Sequence, residues 1–140
     1  MPYPELMVAP MRQELTRVGV AELRTADDVD KWMANKEGTA LLVINSVCGC
    51  AAGAARPAVS LAMQHAVKPD RAATVFAGQD SEATQRARGY FPELPPSSPS
   101  MIVIKDGQLM EYIPRHRIES RTAHDIAKDL TEVFDEIVKR

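Results

Sequence analysis

Three apolar runs separated by helical patterns constrain the fold of this 140-residue chain more than any other feature. Residues 40–45 (ALLVIN), 72–77 (AATVFA) and 101–105 (MIVIK) are short, continuous and rich in apolar and β-branched residues. Such runs are typical of strands that are covered on both faces of a sheet. Because helical patterns alternate with them, right-handed parallel crossovers are expected. The chain is therefore predicted to be an α/β protein with helices on both faces of a mixed sheet.

Capping residues and glycines delimit the elements before the first apolar run. Pro4 suits the first turn of a helix that Gly19 ends, and residues 20–24 form a short strand. Thr25 is a favourable N-cap for a second helix, which Gly38 closes. The predicted apolar face of the first helix consists of Met7, Val8, Met11, Leu15 and Val18.

Helical patterns also fill the gaps between the apolar runs. Residues 50–67 are predicted to form a long helix, which Pro57 kinks because proline lacks the N–H group that a helix interior requires. Asp80 is placed to cap a further helix over residues 81–89. Residues 91–100 (FPELPPSSPS) then form a proline-rich, ordered loop.

The C-terminal part adds a hairpin and a helix. Asp106-Gly107 is a strong two-residue hairpin signal, so residues 108–113 return antiparallel to the preceding strand. Thr122 caps the last helix. Its apolar stripe consists of Ile126, Ala127, Leu130, Val133, Phe134, Ile137 and Val138. No repeat or long linker divides the sequence, so residues 1–140 are expected to form a single domain with a sheet of about five strands.

Composition and charge argue against several functional classes. With 17 Lys and Arg against 19 Asp and Glu, the net charge is −2. Nucleic acid is therefore not expected as a partner, because phosphate binding requires a basic patch. The longest apolar run, residues 40–44, is too short to cross a bilayer, and the first residues lack the pattern of a signal peptide. We therefore expect a cytoplasmic protein with no membrane partner.

The sequence Cys48-Gly49-Cys50 is the strongest candidate for chemistry. It lies where the first buried strand gives way to a helix, at the edge of the sheet where α/β proteins bind ligands. Free backbone N–H groups at a helix start lower the pKa of a thiol, and the thiolate is the nucleophile. Cys48, at the exposed tip, is predicted to attack, and Cys50, in the first helical turn, to resolve. Gly49 provides backbone freedom for a tight ring between the two sulfurs.

Two other interpretations of these cysteines stay open. Free cysteines are often small buried apolar residues. A metal carrier or an iron–sulfur delivery module would use the same two thiols, but zinc needs four ligands and Cys-x-Cys supplies two. His65, His116 and His124 do not complete a set at ligand spacing. We therefore predict no metal at this site.

Several blocks of the sequence resemble the bacilliredoxin family of thioredoxin-fold proteins. They are residues 45–53 (NSVCGCAAG), 56–58 (RPA), 75–80 (VFAGQD), 96–101 (PSSPSM) and 113–116 (IPRH). The resemblance implies a thioredoxin-like fold with an extra N-terminal helix, and removal of bacillithiol from protein mixed disulfides. Cys48 would be the nucleophile and Cys50 the resolving residue. The implied partners are client proteins carrying mixed disulfides and a low-molecular-weight thiol as co-substrate, with no bound cofactor.

The departures from thioredoxin keep an alternative open. The spacing is Cys-x-Cys rather than Cys-x-x-Cys, and Val47 stands where thioredoxin usually has tryptophan. Both departures argue against efficient general reduction. A protein disulfide isomerase or general disulfide reductase nevertheless remains the alternative within the same chemistry. An exposed sheet edge allows a homodimer without requiring one.

The resemblance also implies which residues surround the thiols. In a thioredoxin-like sheet the strand that begins at Met101 runs antiparallel beside the strand that ends at Asn45. Ser98 and Pro99 would then lie beside Cys48, with a cis bond before the proline.

The same topology brings the start of the helix after Ala77 to this end of the sheet. Gln79, Asp80 and Arg115 would accordingly help to bind or orient substrate. Asn45 would orient the turn through its side-chain hydrogen bonds.

Overall fold

Five strands form a mixed sheet in the computed structural model, which describes residues 2–139. They are β1 (Ala21–Glu22), β2 (Thr39–Asn45), β3 (Arg71–Phe76), β4 (Ser100–Lys105) and β5 (Gln108–Ile113). In the sheet they lie in the order β1-β3-β2-β4-β5. Strands β1 and β2 run parallel to β3, whereas β4 is antiparallel to β2 and β5 is antiparallel to β4. The predicted mixed sheet of about five strands is confirmed.

Five α-helices cover the two faces of this sheet. They are α1 (Glu5–Thr16), α2 (Ala26–Ala34), α3 (Arg56–Ala62), α4 (Ser81–Gly89) and α5 (Ala123–Lys139). Alternate residues of β2 serve the two cores, because successive side chains of a strand point to opposite faces. Leu41 and Val43 pack with the first core, which includes residues of α1, α3 and α5. Leu42 and Ile44 pack with the second core, which includes residues of α2 and α4.

The local signals read from the sequence are largely confirmed. Thr25 forms a capping box with Asp28 at the start of α2. The Thr122 hydroxyl accepts a hydrogen bond from the backbone N–H of Asp125. Asp106 and Gly107 both have positive φ and join β4 to β5, because a tight hairpin turn of this kind needs such backbone angles. These signals succeed because they depend on short-range geometry.

Two predictions about the amphipathic helices are wrong at single positions. Met7 and Val138 were placed on the apolar faces of α1 and α5, yet both side chains are exposed. The buried face of α1 instead includes Arg12, which lies between Val8 and Leu15. A periodicity of 3.6 residues identifies the face but does not exclude a charged residue that finds buried partners.

The predicted helix over residues 50–67 is also corrected. A single π-helical turn, Ala51–Ala55, leads into α3, which ends at Ala62. The backbone N–H of Arg56 therefore reaches the carbonyl of Ala51. Pro57 stands at the start of α3, where its missing N–H and its ring are tolerated. The proline thus follows a π turn rather than kinking a continuous α-helix, and π turns are a known irregularity of helices at functional sites.

Helix α1 is fastened to the sheet by the buried Arg12. Its guanidinium donates hydrogen bonds to Glu5, Glu22 and Asp80, with the shortest, 2.6 Å, to Asp80 Oδ2. It also lies over the ring of Phe76, 5.2 Å from the centroid. Burial opposes the charge, but the hydrogen bonds that Arg12 donates to Asp80 and Glu5 outweigh this effect and raise the pKa of Arg12. We call these four charged residues the Arg12 cluster.

The prediction that the Asp80 side chain caps α4 is wrong for the same reason. Asp80 is at the N-cap position, but its side chain accepts no capping hydrogen bond. Both of its carboxylate oxygens are instead bound to Arg12. A charged partner competes successfully with a backbone N–H, because hydrogen bonds between ionised groups are the stronger ones.

Candidate active site

The two thiols follow directly on β2 and lie against each other. The Sγ atoms of Cys48 and Cys50 are 2.9 Å apart, and both cysteines are partly exposed. The Ser46 hydroxyl lies 3.1 Å from the Cys48 sulfur, to which it donates a hydrogen bond. The Cys48 carbonyl accepts hydrogen bonds from the backbone N–H groups of Ala51 and Ala52, which begin the π turn before α3. The Cys48 sulfur itself has the Ser46 hydroxyl and the Cys50 sulfur within hydrogen-bonding distance.

This environment separates the acidities of the two thiols. Burial works against the Cys48 thiolate, but hydrogen bonds from the Cys50 thiol, from Ser46 and from the backbone N–H of Ala51 outweigh it. Together they lower the pKa of Cys48 from 9.0 to about 7. Burial and the neighbouring Cys48 thiolate raise the pKa of Cys50. At neutral pH about half of Cys48 is therefore the nucleophilic thiolate, while Cys50 holds its proton.

The loop before β4 forms the wall opposite the thiols. Ser100 pairs with Ile44 at the end of β2, which brings residues 97–99 to the same edge as Cys48. The bond between Ser98 and Pro99 is cis, as the family resemblance implied. The Ser97 carbonyl accepts a hydrogen bond from the Ser100 hydroxyl, 2.9 Å away. The backbone of this loop is thereby held in a defined position beside the thiols.

Arg115 connects this wall to the thiols. Its backbone N–H donates to the Ser97 hydroxyl at 2.7 Å, and its guanidinium donates to the Ser98 carbonyl at 3.4 Å. The charges of Cys50 and Cys48 raise the pKa of Arg115, and its own charge in turn opposes the rise in the pKa of Cys50. The charge of Arg115 therefore acts on both sulfurs, while its predicted part in substrate binding stays a prediction.

Asn45 lies at the end of β2 and is fully buried. Its side-chain oxygen accepts hydrogen bonds from the backbone N–H of Ser46, at 2.9 Å, and from Arg56, at 3.1 Å. Asn45 is thus bound within the turn that leads to Cys48, where sequence analysis placed it. Within residues 2–139, these two partners do not include either sulfur.

Gln79 and Asp80 lie after β3, but their side chains contact α1 and the segment before it. Gln79 donates to the Tyr3 carbonyl and accepts from the Tyr3 N–H, at 2.9 and 2.8 Å. Asp80 is bound to Arg12. Among residues 2–139, neither side chain forms a hydrogen bond with Cys48 or Cys50. Their predicted part in substrate binding stays a prediction.

Gly49 lies between the thiols in an ordinary backbone conformation. Its φ is outside the left-handed region, and a Cβ atom added there would meet nothing within 4 Å. The reduced form of the site therefore does not itself require a glycine. Any requirement must come from the ring that a Cys48–Cys50 disulfide would close.

Arg56 is the residue that sequence analysis missed. It is only 2% exposed and binds the turn before Cys48. Its signal is present in the sequence as a single charge inside a run of small apolar residues, Ala54-Ala55-Arg56-Pro57-Ala58. A charged residue in such a run is buried only if it has polar partners, and here those partners are distant in sequence.

Across residues 2–139, no three His, Cys, Asp or Glu side chains come together in a way that could hold a metal ion. Over the same range, no helix has the length and apolar character needed to cross a membrane.

Sequence comparisons relate the chain to proteins of named families. Residues 3–138 match a family model described as disulphide isomerase. A bacilliredoxin of Koribacter versatilis is 58% identical over 134 residues, which cover 96% of this chain and 92% of that protein. A bacilliredoxin of Bacillus cereus is 51% identical over 134 residues, covering 95% of this chain and 93% of that protein. The similarity thus extends over nearly the whole sequence of each protein.

Solved structures resemble the fold at low sequence identity. A thioredoxin from Trypanosoma brucei brucei has a TM-score of 0.59 and 17% identity, covering 86% of this chain and 92% of that one. A thioredoxin from Fasciola hepatica has a TM-score of 0.55 and 20% identity, covering 81% of this chain and 98% of that one. The fold is therefore that of thioredoxin, as the resemblance implied.

Proposed function

The chain belongs to the bacilliredoxin family, and we propose that it is a thiol–disulfide oxidoreductase that removes a low-molecular-weight thiol of the bacillithiol type from protein mixed disulfides. The observation that carries this proposal is the unequal pair of thiols. Cys48 has a pKa of about 7 and lies against Cys50, whose pKa is raised. A nucleophile that is partly ionised at neutral pH beside a protonated partner is suited to two successive exchange steps.

The first step transfers the small thiol to the protein. The Cys48 thiolate attacks the sulfur of the small thiol in the client's mixed disulfide. A bond forms between Cys48 and that sulfur, the original disulfide bond breaks, and the client leaves as a thiolate that takes a proton from water. The client cysteine is thereby reduced, and Cys48 carries the small thiol.

The second step releases the small thiol. The Cys50 thiol loses its proton and attacks the Cys48 sulfur, so that the small thiol leaves and a Cys48–Cys50 disulfide forms. Alternatively, a second molecule of small thiol attacks the adduct, which regenerates the Cys48 thiolate and yields the small-thiol disulfide. The reducing equivalents come from the small thiol or from a reductase that reduces the Cys48–Cys50 bond.

Arg115 and the cis-proline loop supply the binding surface in this proposal. Arg115 is exposed and pairs with Glu119 through its Nε at 2.8 Å, and in this proposal its guanidinium also pairs with a carboxylate of the bound thiol. Ser98 and Pro99 present backbone groups to an extended client segment, which would add to them as a strand does. The protein would act in the cytoplasm, without metal or cofactor.

The test uses intact mass after exposure of the reduced protein to bacillithiol disulfide and, separately, to glutathione disulfide. Cys50→Ala is expected to trap one small-thiol adduct on Cys48, whereas Cys48→Ala should form none. Wild type should proceed to an internal disulfide. A preference for bacillithiol disulfide that Arg115→Gln weakens would support the assigned substrate. If Cys48 stays unmodified at neutral pH and the protein retains metal, the non-enzymatic metal-binding function replaces this one.

A second candidate function is protein disulfide isomerase or general disulfide reductase, which the description of the matching family model favours. It is distinguished by the substrate. An isomerase would accelerate the recovery of a client that carries non-native disulfides between its own cysteines. The proposed enzyme would act faster on the same client when each cysteine is blocked by a small thiol.

A further inference from the structure

The exchange mechanism makes no use of Arg56, which lies buried behind the turn that presents Cys48. Its Nη1 donates to the Ser46 carbonyl at 2.7 Å and to Asn45 Oδ1 at 3.1 Å. Its Nε donates to Glu14 Oε2 on α1 at 2.9 Å. Three acceptors from two distant parts of the chain therefore meet at one guanidinium.

The charge of Arg56 is not explained by ion pairing alone. Its side chain is 2% exposed, whereas its one carboxylate partner, Glu14, is 31% exposed. The other two partners are neutral oxygens. Burying a charge is costly, and neutral acceptors repay only part of that cost. We therefore expect Arg56 to have a role that a well-packed apolar side chain at this position could not have.

Arg56 restrains both polar groups of the Ser46 backbone, the carbonyl directly and the N–H through Asn45. Arg56 binds the Ser46 carbonyl directly, and it binds the Asn45 oxygen that accepts from the Ser46 N–H at 2.9 Å. The Nδ2 group of Asn45 is buried without a hydrogen-bond partner among the described residues, so the oxygen alone orients that side chain. The Ser46 hydroxyl is thereby held 3.1 Å from the Cys48 sulfur.

We propose that Arg56 is a positioning residue for the Cys48 nucleophile, because it clamps Ser46 and so holds the Ser46 hydroxyl on the sulfur. The inference rests on the proposed function of Cys48 in exchange. Glu14 takes part in this positioning, because it lies on α1 and accepts a hydrogen bond from the Arg56 guanidinium. The N-terminal helix thus contributes to the site through Glu14.

Arginine is required in this role because of its shape. The planar guanidinium presents Nε and Nη1 donors in fixed and different directions, toward α1 and toward the turn. The single ammonium of a lysine cannot satisfy Glu14, Asn45 and Ser46 at once. Arg56→Lys therefore keeps the charge but loses the clamp, which makes it the informative variant.

The experiment measures the pH dependence of Cys48 alkylation by iodoacetamide, with the modified residue identified by mass. In wild type the half-maximal rate is expected near pH 7, from the pKa of Cys48. Ser46→Ala and Arg56→Lys should each move the midpoint upward by about one pH unit, which lowers the thiolate fraction at pH 7 about fivefold. The double variant should move it no further than Ser46→Ala alone, because both changes remove one interaction.

Arg71→Lys is the matched control. Arg71 also donates to backbone carbonyls, those of Trp32 and Asn35, but it begins β3 at the opposite end of the sheet from the thiols. It should leave the midpoint unchanged. A movement of the same size in this control would show a general loosening of the fold and would overturn the inference.

Other outcomes separate this inference from the proposed function. If Ser46→Ala moves the midpoint and Arg56→Lys does not, or if their effects add fully, the clamp is wrong while the exchange function stands. If wild type itself shows no midpoint near pH 7 and no exchange, the proposed function fails. Should Arg56→Lys not fold, Glu14→Gln is expected to raise the midpoint by a smaller amount, and an unchanged midpoint would contradict the inference.

Discussion

Two buried arginines on the same side of the molecule are held in opposite ways. Arg12 is surrounded by three carboxylates, those of Glu5, Glu22 and Asp80. Arg56 has one carboxylate and two neutral oxygens. The Arg12 cluster therefore carries a surplus of negative charge, whereas the surroundings of Arg56 are almost balanced. Burial of an arginine therefore does not by itself indicate its role, because its partners decide what it stabilises.

The consequences of the two arrangements differ accordingly. Arg12 joins α1 to β1 and to the start of α4, so its contacts stabilise the assembled fold. Arg56 joins α1 to the turn that holds the nucleophile, so its contacts affect a sulfur atom. Changes in the Arg12 cluster should therefore alter the free energy of unfolding and leave the pKa of Cys48 unchanged. Changes at Arg56 should alter that pKa.

The largest effect is expected for Arg12→Met. The substitution leaves three carboxylates together with only the half-exposed Arg24, which pairs with Glu5, as a nearby cation. Breaking a buried ion pair by removal of one partner costs about 3–5 kcal/mol. Urea denaturation should show this loss of unfolding free energy, while the midpoint for Cys48 alkylation stays near pH 7. If the alkylation midpoint of Cys48 moves in folded Arg12→Met, then Arg12 and Arg56 do not have separate roles. Arg12→Lys, which keeps the charge, should lose less.

Asp80→Asn is expected to have an intermediate effect. The amide keeps one acceptor for Arg12 but loses the charge-assisted pair, and a hydrogen bond to a charged group contributes about 1.5–3 kcal/mol. The unfolding free energy should fall by about 1–3 kcal/mol without a change in the exchange rate. A slower exchange rate at undiminished stability would instead favour the substrate-orienting role predicted for Asp80 from the sequence.

The pH dependence of the stability of Glu22→Gln tests whether the Arg12 cluster carries surplus negative charge. Burial raises the pKa of Glu22 above 4.5, despite the attraction of Arg12. The folded protein then binds a proton more tightly than the unfolded chain, so wild type loses stability relative to the variant as pH rises from about 4.5 through the raised value. Urea midpoints measured between pH 4 and 8 report this slope.

Glu5→Gln is the control with the opposite sign. Hydrogen bonding from Arg12 lowers the pKa of Glu5, although burial opposes it. Wild type should lose stability relative to this variant as pH falls below 4.5, through the lowered value. If the difference in unfolding free energy from wild type changes with pH in the same direction for Glu22→Gln and Glu5→Gln, the opposite pKa shifts given to these two carboxylates are wrong.

Glu14→Gln is expected to have the smallest effect on stability. Solvent reaches the Glu14 carboxylate, which is 31% exposed, and glutamine keeps an acceptor for the buried Arg56, so the loss should stay near the low end of about 0.5–1.5 kcal/mol. The urea midpoint should therefore hardly change, even though the alkylation midpoint of Cys48 rises. A loss of stability as large as that of Asp80→Asn would mean that the two arginines serve the same structural purpose after all.

Sequence reasoning predicted the elements whose causes are local. The β-type runs, the Thr25 and Thr122 caps and the turn at residues 106–107 all depend on neighbouring residues, and each was identified. Sequence reasoning failed where a distant partner decided the outcome. Asp80 is a residue type that favours helix caps, but its side chain binds Arg12 instead. Arg12 lies on an apolar face because it meets Glu5 of its own helix and two carboxylates from other segments there.

The candidate site followed the same division. The positions of Cys48 and Cys50 after a buried strand indicated a thiol of lowered pKa at a helix start, and the pKa of Cys48 is lowered. The roles of the two cysteines in exchange stay predictions. The support behind the thiols was not predicted, because Arg56 and Glu14 are 42 residues apart and neither has a local pattern. The π turn was missed as well, since Pro57 alone does not reveal how the preceding turn adapts.

The small residues of the π turn and of α3 limit how this segment can change in evolution. The buried members of the π turn and α3 include Ala51, Ala54, Ala55, Ala58 and Ala62. A larger side chain overpacks such a position at a cost of about 1–3 kcal/mol, and glycine costs about 0.5–1 kcal/mol in a helix. Few single substitutions are therefore neutral there, so mutational drift in this protein should be concentrated on the outer faces of its other helices.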